Sequence, residues 1–168
     1  MIWAGVDGTI GWQAVGIAPI RNNFSGLVPV PGDGRYEWDG FLPIIDKPHD
    51  LNPESGFIAT ANQNVTPEDY EFWNAIGFTW SDPYRGYRVN EVLKSENTLD
   101  INQMKTLQTD YLSIPARTLL PYLLDIQPRN KQSTAAMAKL KDWDFRLTPN
   151  SIPAAIYIEW EEVLRDNI

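Results

Sequence analysis

The 168-residue sequence contains no cysteine and only one histidine, His49. The lack of cysteine excludes disulfide bonds, a thiolate nucleophile and cysteine-ligated metals. A Ser-His-Asp triad would have to use His49, and a metal site built from several histidines is excluded. Because His49 follows Lys47-Pro48, the sequence predicts that it lies in a loop, where a surface or packing role is favoured over catalysis.

Basic charge and long apolar runs are also scarce. The net charge is −8 and the isoelectric point is about 4.6, so the surface should repel phosphate backbones and anionic lipid headgroups. We therefore expect neither nucleic acid nor a membrane as a partner. The sequence has no run of about 18 apolar residues and no basic start followed by an apolar stretch, so neither a membrane span nor a signal peptide is predicted. The first residues instead resemble the middle of a strand, as if a preceding segment had been removed.

Glycine is absent beyond residue 86. All 11 glycines lie between Gly5 and Gly86, in a part that is also rich in proline and tryptophan. Turn-dense sequence followed by glycine-free sequence predicts an α+β fold, with strands and loops in residues 1–95 and helices in residues 96–168. The length suits a single domain, so we expect residues 1–168 to form one domain or one part of a larger one.

The strand pattern is clearest at the start of the chain. Asp7-Gly8 separates two apolar runs, residues 2–6 and 10–17, and predicts a β-hairpin. A short strand is predicted at residues 35–38. Residues 57–61 predict a buried strand that ends at the turn-forming cluster Asn62-Gln63-Asn64.

Capping residues and 3.6-residue periodicity predict the helices. Asp100 and Gln103 have the spacing of a capping box, and Thr66 and Ser151 are placed as N-caps. Pro115 is expected to end or kink the helix that begins at Asp100. The other predicted helices cover residues 67–76, 85–94, 117–124 (interrupted at Pro121), 134–143 and 153–165.

Several short motifs have structural interpretations. Gly32-Asp33-Gly34 lacks the lysine of a phosphate loop and is predicted to be a turn. Asp7, Asp33 and Asp39 do not follow an EF-hand pattern and are also expected in turns. The seven tryptophans are compatible with a carbohydrate-binding module, but core or interface positions are favoured. The sequence has no Gly-x-Ser-x-Gly motif, which disfavours an α/β-hydrolase.

Asn62 and Arg88 each allow two interpretations. A carboxamide at the end of a buried strand can donate an N–H to the oxyanion that develops during acyl transfer. Asparagine after a strand is, however, more often a turn residue. Arg88, within Tyr84-Arg85-Gly86-Tyr87-Arg88, would alone be assigned to a helix face or an ion pair.

An ordered series of segments resembles the β-subunit of the penicillin amidase family of N-terminal nucleophile hydrolases. The matching segments span nearly the whole chain: GIAPIR (16–21), VPVPGD (28–33), YEWDGFLP (36–43), GFIATANQ (56–63), PYR (83–85), RV (88–89), Asp100, QTDYLS (108–113), WD (143–144) and residues 154–164. The resemblance implies that the chain forms part of the αββα sandwich of this family.

The resemblance also implies a chemistry. Family precursors cleave themselves and expose a serine, which attacks an amide with its own α-amino group as base and forms an acyl-enzyme. Asn62 matches the oxyanion-hole asparagine. Arg88 matches an arginine that orders the site around that asparagine and the amino group of the nucleophile. Gln63 stands where the family usually has a second asparagine. The chemistry uses no cofactor, although a structural calcium of unassigned ligands is implied for the full-length protein, as is a bacterial periplasmic or extracellular location.

No residue of the chain replaces the nucleophilic serine, which belongs well upstream of Met1. We therefore expect a fragment, inactive alone, of an acylase for N-acyl substrates of the β-lactam or acyl-homoserine lactone type. Its expected partners are the missing α-subunit and the remainder of the β-subunit. The alternative is a non-catalytic domain, either a carbohydrate-binding module or a pseudo-enzyme that mediates interactions.

Overall fold

The computed structural model describes residues 1–95 and 98–168 and forms two compact units, Met1–Gly86 and Tyr87–Ile168. The composition of the sequence changes near residue 95, whereas the two units divide between Gly86 and Tyr87. No helix among the described residues is long and apolar enough to cross a membrane.

The first unit contains a three-stranded antiparallel sheet with the order β1-β2-β3. Strands β1 (Ile2–Ala4) and β2 (Ile10–Gln13) form the predicted hairpin, with Trp3 opposite Gly11. Asp7 Oδ1 accepts the Thr9 N–H at 3.1 Å, an interaction typical of turn aspartates. The hairpin is confirmed, but both strands are shorter than the apolar runs suggested.

Strand β3 (His49–Leu51) pairs with β2 and was not predicted. His49 therefore lies in an exposed strand rather than in a loop, and the loop prediction was wrong. Its Nδ1 is 2.8 Å from the Lys47 carbonyl oxygen. The strand ends at Asn52, whose φ of 51° is left-handed and whose Oδ1 accepts the Ile10 N–H. A tertiary contact therefore fixes this short polar strand, which has no apolar alternation of its own.

The predicted strands at residues 35–38 and 57–61 are not strands. Residues 57–61 have no regular secondary structure and are partly buried or exposed, and no strand in the described part of the chain pairs with them. Just after residues 35–38, the Asp39 and Leu42 N–H groups donate to the carbonyl oxygens of Ile20 and Ala18. These bonds form an irregular ladder with one isolated β-bridge. High β-propensity does not make a strand without a partner for its backbone groups.

A small apolar cluster fills the first unit around Ala18, Leu42 and Ala75. Helix α1 (Trp73–Ile76) contributes Ala75 and ends at Gly77, whose φ of 108° favours glycine. Its N-cap residue is Phe72, so the predicted helix over residues 67–76 is reduced to a single turn and Thr66 is not its cap.

The remaining helices follow the predictions more closely. Ser151 caps the last of them as expected, whereas Pro115 lies in the first turn of a new helix capped by Ser113. Pro121 is accommodated inside that same helix. The helices are α2 (Tyr84–Ser95), α3 (Ile101–Gln108), α4 (Ile114–Leu124), α5 (Lys131–Leu140) and α6 (Ile152–Asp166).

The main apolar core lies in the second unit, among α4, α5 and α6. Its buried members are Ala116, Leu120, Leu140, Trp143, Ala154 and Tyr157. Trp143 and Tyr157 pack with ring centroids 5.5 Å apart. Trp143 is thus a core residue as favoured, whereas Trp3, Trp38 and Trp80 are exposed.

The capping box of α3 gives a local test of helix stability. Asp100 accepts the Gln103 N–H and Gln103 Oε1 accepts the Asp100 N–H, each at 2.8 Å. Asp100→Ala removes one of these bonds and should lower the free energy of unfolding by about 1 kcal/mol. Urea denaturation followed by circular dichroism measures this change. Asn102→Ala, at an exposed position of the same helix, should stay within about 0.5 kcal/mol; equal effects of the two variants would contradict the role of the cap.

Candidate active site

Asn62 occupies a tight backbone turn in the first unit. Its φ is 65°, in the left-handed region that asparagine tolerates better than other non-glycine residues. Its carbonyl oxygen accepts the Ser81 N–H at 3.1 Å, which ties the turn to a distant part of the same unit. The residue itself is exposed. The backbone is therefore held while the side chain remains accessible to solvent or a ligand.

Arg85 determines the orientation of the Asn62 carboxamide. Arg85 Nη2 donates to Asn62 Oδ1 at 3.1 Å. A guanidinium only donates hydrogen bonds, so it has to meet the oxygen and not the nitrogen of the amide. Among the described residues, none accepts a hydrogen bond from Asn62 Nδ2. The two N–H groups of Asn62 are therefore available to an external acceptor.

Gln63 folds back onto the backbone before Asn62. Its Oε1 accepts the Ala61 N–H at 2.6 Å, and its Nε2 donates to the Ala59 carbonyl at 3.1 Å. The side chain lies directly against Gly86, where an added Cβ would be 2.7 Å from Gln63 Cδ. Gly86 thus leaves space for the Gln63 side chain, which bonds to the Ala61 N–H and the Ala59 carbonyl. In a sheet, a neighbouring strand would bond to these backbone groups.

Arg88 lies in the second unit, within an ion-pair network centred on Asp110. Arg88 Nε donates to Asp110 Oδ2 at 2.8 Å, and Arg146 Nη1 donates to Asp110 Oδ1 at 2.7 Å. The Leu112 N–H also donates to Oδ1, at 3.1 Å. Glu91 extends the network, because it contacts Arg88 at 3.3 Å and pairs with both Nη atoms of Arg117. Asp110 is the least exposed member, with 9% of its side-chain surface accessible.

The arginines of this network lower the pKa values of Asp110 and Glu91. Burial alone would raise the pKa of Asp110, but the hydrogen bonds from Arg88, Leu112 and Arg146 outweigh it and lower that pKa below its ordinary value. The Arg117 hydrogen bonds lower the pKa of Glu91, and Arg88 adds to the effect. Both groups are therefore charged at neutral pH and hold the Arg88 guanidinium in place.

An open groove of about 540 Å³ lies beside Arg88 in the second unit. Its charged lining combines Arg88 and Arg146 with Glu91, Asp100 and Asp110, and both arginines are paired with Asp110. Its apolar surface comes from Val92, Leu99 and Leu107. Such a mixed lining suits a ligand with both a polar and an apolar part.

The carboxylates in the described part of the chain do not gather into a metal site. Within residues 1–95 and 98–168, no group of three or more His, Cys, Asp or Glu side chains could hold a metal ion. Asp33 instead pairs with Arg35 at 2.7 Å, and Asp39 accepts a bond from Asn22. The structure therefore assigns no calcium ligands to these aspartates.

The structure places the two predicted site residues in different units, Asn62 in the first and Arg88 in the second. Each is bound to a residue that the sequence did not single out. Arg85 lies in the matched segment PYR and Asp110 in the matched segment QTDYLS, so position in these segments was the available signal. Their roles depend on contacts over 22 or 23 residues, which no local pattern shows.

Comparison with known proteins decides the family. The sequence matches the penicillin amidase family over residues 1–168. The chain belongs to the penicillin amidase family. It is 34% identical over 163 residues to an acyl-homoserine lactone acylase of Pseudomonas putida, a match that covers 88% of this chain and 20% of that protein. It is 32% identical over 124 residues to penicillin G acylase of Escherichia coli, covering 72% of this chain and 14% of that protein.

A solved structure supports the fold of this family member. The thermostable penicillin G acylase of Alcaligenes faecalis superposes with a TM-score of 0.65 at 22% identity, covering 86% of this chain and 27% of that one. The predicted fold class, mixed α and β as in an N-terminal nucleophile hydrolase, is thereby confirmed. The chain spans about a fifth of the length of the Pseudomonas relatives it matches.

Proposed function

We propose that this chain is part of a longer acylase that hydrolyses the amide bond of an N-acyl substrate, with N-acyl homoserine lactones as the first candidates. Three similar proteins, from Pseudomonas putida, Pseudomonas fluorescens and Pseudomonas aeruginosa, are acyl-homoserine lactone acylases by name, at 32–34% identity. The penicillin G acylase relative makes a β-lactam amide the second candidate. Family membership favours an acylase over a carbohydrate-binding module.

The observation that carries the proposal is the state of the Asn62 carboxamide. Its oxygen is bound by Arg85, and its N–H groups remain available at an exposed position. A fixed N–H donor is what the oxyanion of a tetrahedral acyl-transfer intermediate requires. We therefore assign Asn62 as an oxyanion donor.

The reaction needs a nucleophile from outside these 168 residues. The hydroxyl oxygen of an N-terminal serine forms a bond to the amide carbon, and the α-amino group of that serine accepts the hydroxyl proton. The carbonyl oxygen becomes negative and is stabilised by Asn62. The C–N bond then breaks, the amine leaves with a proton, and water hydrolyses the acyl-serine to a free carboxylic acid.

Arg88 keeps its proposed role in ordering the active site. Asp110 and Glu91 hold its guanidinium on two sides, so the residue presents one fixed geometry to its surroundings. The adjacent groove is a candidate location for part of the substrate or of the remaining polypeptide.

The remainder of the polypeptide is the proposed partner of the first unit. Many large apolar side chains of the first unit are exposed, among them Val6, Val15, Ile17, Val28, Trp38 and Ile45. Exposed apolar surface of this extent is typical of an interaction surface. We propose that the α-subunit and the rest of the β-subunit cover it. A structural calcium and a periplasmic or extracellular location are proposed for the whole protein by analogy with the family.

The test is to express the complete reading frame that contains this chain and to assay it on N-acyl homoserine lactones and on penicillin G. We expect self-cleavage of the precursor and release of a free amine and a carboxylic acid. The 168-residue chain alone is the control and should be inactive. An intact, inactive precursor would overturn the proposal and favour a pseudo-enzyme that acts as an interaction domain.

A further inference from the structure

We propose that a groove in the second unit, between α5, α6 and the end of α4, binds the anion of a fatty acid. Its volume is about 460 Å³, within the range of about 300–1,000 Å³ that small-molecule sites occupy. The α5 part of its lining runs from Ser133 to Leu140, about 10 Å along the helix axis. This α5 groove has apolar walls and one charged residue, which lies at the end where α5 begins.

The apolar walls of the α5 groove are held by the core beneath them. Leu140 is buried, and Ile156 and Trp160 of α6 pack against the same core. The Trp160 ring also packs on the ring of Tyr157, with the two centroids 5.8 Å apart. Met137 adds an unbranched, adaptable side chain to the lining. Walls of this kind suit an alkyl chain, because each methylene group that leaves water for an apolar surface contributes favourable free energy.

Arg129 supplies the only charge among the described residues that line the α5 groove. It is exposed, lies two residues before Lys131, where α5 begins, and pairs with no other described residue. No aspartate or glutamate is among these lining residues, although acidic residues outnumber basic ones by 22 to 14 in the chain. An unpaired guanidinium beside an apolar groove complements a ligand with one carboxylate and one alkyl chain. This charge complementarity favours a fatty acid anion over an uncharged segment of the remaining polypeptide.

The groove beside Arg88 does not offer the same combination. Its two arginines, Arg88 and Arg146, are both paired with Asp110, so neither is left for a ligand carboxylate in the way that Arg129 is. The source of the acid rests on the function proposed above, because hydrolysis of an N-acyl substrate releases its acyl group as a free carboxylic acid. A carboxylic acid of this kind is ionised at neutral pH and carries the charge that Arg129 complements.

The first experiment locates the ligand in the complete protein that contains this chain. The protein is irradiated with octanoate that carries a diazirine near the end of its alkyl chain, and the labelled peptides are identified by mass spectrometry. We expect labelling within residues 123–160, which an excess of unmodified octanoate prevents. A protein without such labelling would overturn the proposal, and this is the result expected if the remaining polypeptide covers the groove.

The second experiment tests the charge of Arg129. The competitor concentration that halves the labelling within residues 123–160 is measured for octanoate and for 1-octanol, which lacks the carboxylate. Arg129→Gln should weaken competition by octanoate about tenfold, because it removes a charge-assisted hydrogen bond, and should leave competition by 1-octanol nearly unchanged. Lys139→Gln changes a basic residue of the same helix outside the lining and is the matched control, which should behave as wild type. Equal weakening for both competitors, or none, would contradict the role of Arg129.

Because these labelling experiments need no catalysis, the fatty acid site and the proposed acylase function can fail separately. An active acylase that is not labelled within residues 123–160 overturns the fatty acid site and leaves the proposed function intact. A complete protein that is labelled there in an Arg129-dependent way but has no acylase activity overturns the proposed function and leaves the fatty acid site. Labelling that depends on Arg129 in an active acylase supports both.

Discussion

Asn62→Gly is expected to lower kcat of the complete acylase by about a hundredfold or more with little change in KM, because removing one oxyanion donor has an effect of this size. Glycine adopts the left-handed backbone of Asn62 without strain, so this variant deletes the carboxamide and preserves the turn. Asn62→Ala deletes the same group but adds backbone strain. A comparison of the two therefore separates the chemical role of Asn62 from its structural one.

The matched control for this prediction is Asn64→Ala. Asn64 lies in the same turn-forming cluster, and its Oδ1 accepts the Thr66 N–H at 2.9 Å. Deletion of this carboxamide should affect stability slightly and leave kcat within about threefold of wild type, since surface turn changes cost little. Equal losses of activity in Asn62→Gly and Asn64→Ala would contradict the oxyanion role of Asn62. Thermal unfolding of each variant confirms that folded proteins are compared.

Local signals in the sequence predicted local structure well. The Asp7-Gly8 hairpin and the caps at Asp100 and Ser151 all depend on residues within a few positions of one another, and all are present. Strand β3 and residues 57–61 show the opposite case. The first became a strand because β2 lies beside it, and the second did not because the described residues offer it no partner strand.

The site shows the same division between local and tertiary information. The family resemblance identified Asn62 and Arg88 through matched segments, which is information about position and not about contacts. The direct neighbours, Arg85 at Asn62 and Asp110 at Arg88, come from distant parts of the chain. The resemblance identifies Gln63 only as a glutamine where the family usually has a second asparagine. In the structure its side chain makes two hydrogen bonds that support the Asn62 turn.

The second large effect is expected at Asp110. Asp110→Asn should lower the free energy of unfolding by about 2–3 kcal/mol at pH 7, because it leaves the partly buried Arg88 without its main counter-charge. The variant also turns an NH₂ group toward one of two arginines that both need an acceptor. The value is below that of a fully buried pair because Arg146 is 43% exposed and can be solvated. Urea denaturation followed by tryptophan fluorescence measures it.

Asp144→Asn is the matched control for Asp110→Asn. Asp144 faces the same Arg146, but its Oδ2 is 3.9 Å from Arg146 Nε and its side chain is 67% exposed. An exposed pair of this kind contributes at most about 1 kcal/mol, and the control should lose no more than that. Similar losses in the two variants would show that Asp110 does not organise the network.

The pH dependence gives an independent test of the Asp110 network. The folded state lowers the pKa of Asp110, so the unfolded state binds the proton more readily as the pH falls. The stabilisation by Asp110 is thus fully present above the unfolded-state pKa of about 3.9 and is lost as the pH falls through the lower folded-state pKa. The difference in unfolding free energy between wild type and Asp110→Asn should be constant from pH 7 to pH 5 and should shrink below pH 4. A difference that persists unchanged into acid would mean that the charge of Asp110 is not what holds Arg88 and Arg146 together.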